Sequence, residues 1–150
     1  GYYIEAKKSS ITLKSFKNLK STNFKTGPFP SYVATDCMPM LLAVLTQVPG
    51  VSRIEENIFG AHRFQCVPEL QRLGAKIEVD GNKAKIFGPS SLSSSECISS
   101  DLRTTFSIIL GLIIAKGTGR ISRVYHGERG YFNLFKKLKK IGIKIKSQSF

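Results

Sequence analysis

The sequence predicts an α/β (α+β) fold assembled from a repeated strand, helix, strand, helix, strand, strand unit. Three observations carry this. Two long apolar runs, at 38–48 and 106–115, each follow a hydroxyl residue and an acid, Thr35-Asp36 and Ser100-Asp101. Each run then gives way to a glycine-led segment, Gly50-Val51-Ser52-Arg53-Ile54 and Gly117-Thr118-Gly119-Arg120-Ile121. Finally, Leu70-Gln71-Arg72-Leu73-Gly74 returns as Leu138-Lys139-Lys140-Ile141-Gly142. Coincidence would have to reproduce both the apolar period and the punctuation, so the chain is read as an internal repeat.

Taken in order, Tyr2 to Ala6 and Ile11 to Lys14 are two short strands around the polar turn Lys7-Lys8-Ser9-Ser10. Gly1-Tyr2-Tyr3-Ile4-Glu5 matches both Gly74-Ala75-Lys76-Ile77-Glu78 and Gly142-Ile143-Lys144-Ile145-Lys146. Residues 1–26 are therefore the tail of a preceding copy plus a connector, with one more strand expected around Asn23-Phe24-Lys25. Gly27-Pro28-Phe29-Pro30 forces a turn. The first full repeat occupies 27–89. Thr35 and Asp36 are placed to cap a helix from about Cys37 to Val48, with Pro39 tolerated in its first turn and almost no polar face, so it should be buried all round. A strand from Ser52 to Ile58 follows, then a loop over 59–63 and a short helix near Pro68 to Leu73, stopped by Gly74. Asp80-Gly81-Asn82 between two alternating runs signals a hairpin. The second repeat, 90–150, begins with the serine-rich connector 90–95 and runs through the same order.

A chain of 150 residues can form one compact domain and bury a core, and 41% hydrophobic with 22% charged residues is ordinary globular usage. The net charge of +13 suits an anionic partner: nucleic acid, acidic lipid or a phosphorylated metabolite. Many of the lysines serve equally well to solvate exposed faces. Cys37, Cys66 and Cys97 form no CxxC pair and no metal-ligand spacing, and their odd number argues against a disulfide framework, so a reducing compartment is expected and no metal site. No signal-peptide pattern opens the chain, and the run 106–115 is too short to span a bilayer, which excludes a helical membrane protein and predicts a soluble one.

The chemistry is expected at the element ends. Each copy places an acid at a helix start (Asp36, Asp101) and an arginine after its second long strand (Arg63, Arg129), and the later copy adds Arg103. Arginine grips carboxylate and phosphate through a planar fork of donors. A carboxylate beside such a cluster can accept a proton from a substrate hydroxyl. The plainer alternative makes the acids helix caps and the arginines surface ion-pair partners. His62 and His126 flank the arginines without adding a pattern of their own.

Thr35-Asp36, Arg63-Phe64 with Val67-Pro68-Glu69-Leu70 and Leu73-Gly74-Ala75, Ser100-Asp101-Leu102-Arg103, and Tyr125-His126 with Arg129-Gly130-Tyr131 resemble, in order, the C-terminal part of the UDP-N-acetylglucosamine enolpyruvyl transferase (1-carboxyvinyltransferase) family. The resemblance implies βαβαββ units packed around buried helices, here part of an inside-out barrel domain. It implies transfer of the enolpyruvyl group of phosphoenolpyruvate to the 3-hydroxyl of UDP-N-acetylglucosamine with release of phosphate, without a cofactor. That reaction commits material to peptidoglycan and so to cell wall biogenesis, cell shape and division, in a bacterial cytoplasm. Asp36 corresponds to the acid that meets the sugar hydroxyl and takes its proton, and Asp101 to an acid near the reacting carbon. Ile58 falls where backbone meets the sugar nucleotide. Arg129 corresponds to an arginine on phosphoenolpyruvate, while Arg63 and Arg103 line the cleft.

The chain departs from the family pattern in two places. Ile54 to Arg63 is one residue longer than Ile121 to Arg129, and Ser31-Tyr32-Val33-Ala34 replaces a shorter lead into Thr-Asp. The resemblance covers well under half of such an enzyme. The N-terminal half, with a Lys-Asn phosphoenolpyruvate site and a loop bearing a reactive cysteine, has no counterpart here, and none of the three cysteines aligns with that residue. A fragment that is inactive alone and needs the missing half is therefore expected. The alternative is a basic nucleic-acid-binding module on the same fold, using Lys136, Lys137, Lys139 and Lys140 on a helix whose Leu134, Leu138 and Ile141 face inward.

Overall fold

The structure, a computed structural model, describes residues 2–15, 18–28 and 30–146. The sequence motif of the first unit becomes a four-stranded mixed sheet in the order β3-β4-β6-β5: β3 (Asn23–Lys25), β4 (Gly50–Glu55), β5 (Lys76–Asp80) and β6 (Lys83–Gly88). β3 lies parallel to β4, and β6 runs antiparallel to both of its neighbours. The two-residue turn at Gly81-Asn82 sets the β5–β6 register, pairing Asp80 with Lys83 and Ile77 with Ile86. Alternation then sends Ile54, Ile77, Ala84 and Ile86 to one face, where all four are buried.

That face packs on α1 (Met38–Leu45) and α2 (Val67–Arg72), through Met38, Leu42, Ala43, Leu45, Val67 and Leu70. Met38, Leu42, Leu70 and Ile86 are completely buried, each contributing about 1.5–3 kcal/mol of transfer free energy. Behind them lies α3 (Leu102–Ile114), whose Leu110 and Ile114 reach the same core, while Ile108 packs with Leu73 and Cys97. Its Ile109 meets Leu134 and Leu138 of α5 (Leu134–Lys140). The helix therefore carries an apolar contact on nearly every side. Its buried hydroxyls are satisfied: Ser107 Oγ donates to the Pro39 carbonyl at 2.7 Å, tying α3 to the first turn of α1.

The later unit opens with the parallel pair β7 (Glu96–Ile98) and β8 (Arg120–Ser122). β1 (Tyr2–Ala6) and β2 (Ile11–Ser15) form a separate antiparallel hairpin. Its Ile4 and Leu13, paired across the strands, are 63% and 60% exposed, unlike Ile77 and Ile86 in the matching hairpin.

Several boundaries differ from expectation for local reasons. The first helix ends at Leu45 rather than Val48, because Thr46 Oγ1 bonds back to the Ala43 carbonyl and the last residues close tighter turns. It is also not buried all round, since Val44 is exposed. The 59–63 loop is the start of a 3-10 helix over Gly60–Cys66, and Tyr125–Glu128 is a short helix, α4. Residues 143–146 carry no strand, and Ile141 faces solvent at 73% exposure instead of pointing inward. The turn expected at Gly27 to Pro30 includes Phe29, which lies outside the described residues.

Candidate functional site

The two acids at the helix starts behave differently. Asp101 is the N-cap of α3, with extended backbone (φ −158°, ψ 174°), and its Oδ1 accepts from the Arg103 and Thr104 amides at 2.8 and 3.2 Å. Its Oδ2 accepts from the Thr104 hydroxyl at 2.5 Å and the Ser100 hydroxyl at 3.2 Å. Burial pushes this carboxyl up, but those donors outweigh it and hold the group below its ordinary value.

Asp36 caps nothing. It lies inside a 3-10 turn, Thr35–Cys37, and neither that turn nor α1 has a side-chain cap. Its carboxylate, 60% exposed, instead accepts Arg103 Nε at 2.6 Å and Arg63 Nη2 at 3.0 Å on the same Oδ1. The bond from Arg103 is the main reason its carboxyl lies below the ordinary range, with the two positive charges adding to it. Thus Arg63, from the first unit, and Arg103, from the second, converge on one acid.

Arg63 is held from three sides. Its Nη2 meets Asp36, its Nε donates to Thr35 Oγ1 at 3.1 Å, and its guanidinium lies over the Phe59 ring at 4.2 Å. Arg63, Arg103 and Asp101 line a cavity of about 380 Å³ together with Pro39, Phe59, His62, Gln65 and Thr104. Asp101, Arg103 and Thr104 bring the N-terminal end of α3 into its lining.

Ile58 is half-exposed and does not line the cavity, though the next residue, Phe59, does; its amide donates to Glu56 Oε1 at 2.9 Å. Arg129 follows α4 and is exposed; it makes no ion pair with a carboxylate among the described residues and does not line the cavity. It is nevertheless held near the α3 N-terminus by two close approaches. A Cβ on Gly127 would stand 2.6 Å from Thr105 Cγ2, and one on Gly130 would stand 2.7 Å from Leu102 Cδ2, so a larger residue at Gly127 would push α4 off the buried Thr105. Of the residues singled out in the sequence, Asp36, Arg63, Arg103 and Asp101 are brought together, whereas Ile58 and Arg129 do not line the cavity.

Sequence reasoning missed Glu56 and the stacking of Phe59. Glu56 is fully buried at the end of β4, and Asn57-Ile58-Phe59 bend around it. A single glutamate beside another, Glu55, gives no periodic signal. Among the described residues no group of three or more His, Cys, Asp or Glu side chains is placed to hold a metal ion. Cys66 and Cys97 are buried thiols pushed up to about 12 and about 11, chiefly by desolvation.

The chain matches the EPSP synthase (3-phosphoshikimate 1-carboxyvinyltransferase) family over residues 1–138. It is 38% identical over 150 residues to a protein named UDP-N-acetylglucosamine 1-carboxyvinyltransferase from Chlorobium luteolum, covering 100% of this chain and 35% of that one. It is 42% identical over 146 residues to a protein of the same name from Pelagibacter ubique, covering 97% and 34%. The chain thus spans about a third of the length of the curated relatives it matches. Among solved structures, the enolpyruvyl transferase NikO from Streptomyces tendae superposes with a TM-score of 0.89 at 24% identity, over 97% of this chain and 34% of that one. EPSP synthase from Acinetobacter baumannii gives 0.66 at 17% identity, over 99% and 34%. These two likenesses establish the fold. The nucleic-acid alternative draws no support from any of the comparisons, and no helix among the described residues is long and apolar enough to cross a membrane. With a continuous match over 138 of its 150 residues, the chain belongs to the EPSP synthase (3-phosphoshikimate 1-carboxyvinyltransferase) family, a family of enolpyruvyl transferases.

Proposed function

We propose that this chain forms one wall of the active cleft of a UDP-N-acetylglucosamine 1-carboxyvinyltransferase, acting in the cytoplasm in the synthesis of peptidoglycan. The reaction joins the sugar 3-hydroxyl to C2 of phosphoenolpyruvate and then expels inorganic phosphate, leaving an enolpyruvyl ether. The observation that carries this reading is the convergence of Arg63 and Arg103, two cavity-lining arginines from two repeat units, on the exposed carboxylate of Asp36.

Each residue type fits a need of that chemistry. Phosphoenolpyruvate and the diphosphate of the nucleotide sugar bring several negative charges, and a net charge of +13 favours their approach. The tetrahedral centre formed on addition carries both phosphate and carboxylate, and fixed guanidinium groups stabilise it best where they are already oriented. Arg63 and Arg103 do this from the cavity wall, and Arg129, unpaired with any carboxylate among the described residues, is available to the phosphoenolpyruvate from the far side of the α3 N-terminus. Asp36 accepts the hydroxyl proton. While both arginines grip it, its lowered pKa makes it a weak base. An anionic substrate drawing those arginines away raises that pKa, so the base strengthens when its substrate arrives. Asp101 positions the first turn of α3 beneath the reacting carbon, and the backbone at Ile58 meets the sugar nucleotide.

Phosphate release from phosphoenolpyruvate and UDP-N-acetylglucosamine tests the reading. The chain alone is expected to show none, and the chain mixed with the N-terminal two thirds of a relative is expected to show turnover that an Asp36→Asn variant lacks. Turnover equal in the two mixtures would contradict it.

A further inference from the structure

We infer that Glu56, a buried carboxylate with no part in the chemistry above, is the positioning residue that fixes Arg63 in its anion-gripping orientation. The inference rests on the proposed function only for what Arg63 grips.

Glu56 has no exposed surface and is in contact with no cation among the described residues. A carboxylate so placed is costly unless every lone pair is used. Here donors converge from three segments. Oε1 accepts the Ile58 amide at 2.9 Å and the Phe59 amide at 3.0 Å, and Oε2 accepts the Thr35 hydroxyl at 2.8 Å. The buried Thr26 hydroxyl also helps hold the carboxyl below its ordinary value, and Thr26 Oγ1 accepts the Asn57 amide at 3.0 Å.

Two constraints on Arg63 follow. The first passes through Thr35. Because its only hydroxyl proton is committed to Glu56, its oxygen can only accept from Arg63, and the Arg63 Nε–H at 3.1 Å supplies that bond. The second passes through the backbone. The amides of Ile58 and Phe59, gathered onto one oxygen, turn the chain so that the Phe59 ring lies against the guanidinium at 4.2 Å. One acid thus sets the in-plane anchor and the face contact of the same arginine. A glutamine at this position keeps the size but replaces the Oε2 acceptor with an NH2, which donates to Thr35 Oγ1 and so competes with the Arg63 Nε–H for the same oxygen.

The test is nuclear magnetic resonance of the Arg63 Nε–H in the full chain, comparing the unaltered protein with Glu56→Gln and Thr35→Val. The expected result is faster exchange of the Arg63 Nε–H with water, by about tenfold, in both variants, with Glu56→Gln also shifting the Phe59 ring signals. UDP-N-acetylglucosamine affinity should fall in parallel, whereas Thr35→Ser, which keeps the hydroxyl, should restore both readouts. An Arg63 signal unchanged in folded Glu56→Gln overturns the inference. If Glu56→Gln does not fold, Thr35→Val decides in the same way. The Arg63 signal is read without ligand, so absence of nucleotide-sugar binding by the unaltered chain mixed with the N-terminal two thirds of a relative would refute the proposed function and leave this question decidable.

Discussion

The starts of α1 and α3 occupy matching places in the repeat, and each presents a hydroxyl residue followed by an acid, yet the acids do opposite jobs. Asp101 turns inward on its own helix and accepts two amides and two hydroxyls. Asp36 turns outward and accepts two arginines from elsewhere. Backbone geometry makes the difference. An extended N-cap residue can fold its carboxylate back over the first turn, whereas Asp36 already sits within a 3-10 turn whose continuation into α1 leaves no such return. A repeated motif therefore marks a repeated position, and the local backbone decides whether the side chain serves the helix or the cleft.

Substitutions at the two positions should separate these jobs. The largest effect is expected in the completed enzyme from Asp36→Asn, which removes the proton acceptor and should lower turnover by about 10²–10⁴-fold, measured as phosphate release. Next, Arg63→Ala or Arg103→Ala should weaken binding of UDP-N-acetylglucosamine or phosphoenolpyruvate by about 10- to 100-fold, the scale of a lost charge-assisted bond; calorimetric titration checks this.

On stability the order reverses. Asp101→Ala removes a cap and should cost about 1–2 kcal/mol in urea unfolding, whereas Asp36→Ala, at an exposed site, should stay within about 0.5 kcal/mol. The smallest effect concerns acid. Asp101 has a folded pKa lowered from an ordinary value of 3.8, so the stability it confers is complete above that value and lost as pH falls through the lower folded one. Unfolding midpoints measured across that range should fall less steeply for Asp101→Ala than for the unaltered chain.

Much of the scaffold was legible because it is written in periodicity and punctuation. Gly81-Asn82 closes the hairpin that the Asp-Gly-Asn signal foretold, and Asn23 to Lys25 is the short strand expected there. The convergence of Asp36, Arg63 and Arg103 was only half legible. Residue types and family likeness marked them, but nothing in the spacing said that Arg103 would reach across 67 positions to Asp36. The strand expected to run to Ile58 stops at Glu55 because the Asn57 amide goes to Thr26 Oγ1 and the Ile58 and Phe59 amides turn back to the Glu56 carboxylate, a competition between side chain and sheet that alternation of apolar residues cannot register. Likewise, Tyr125 to Glu128 folds as a helix because Gly127 can press against Thr105, a tertiary contact that outweighs the low helix propensity of glycine.

The most direct test of the account is calorimetric titration of the chain, mixed with the N-terminal two thirds of a relative, with UDP-N-acetylglucosamine, alongside Arg63→Ala and Arg103→Ala. Saturable binding that weakens in both variants is the expected result. Binding indifferent to both arginines, or none by the mixture with the unaltered chain, would contradict the claim that their convergence on Asp36 forms a substrate site.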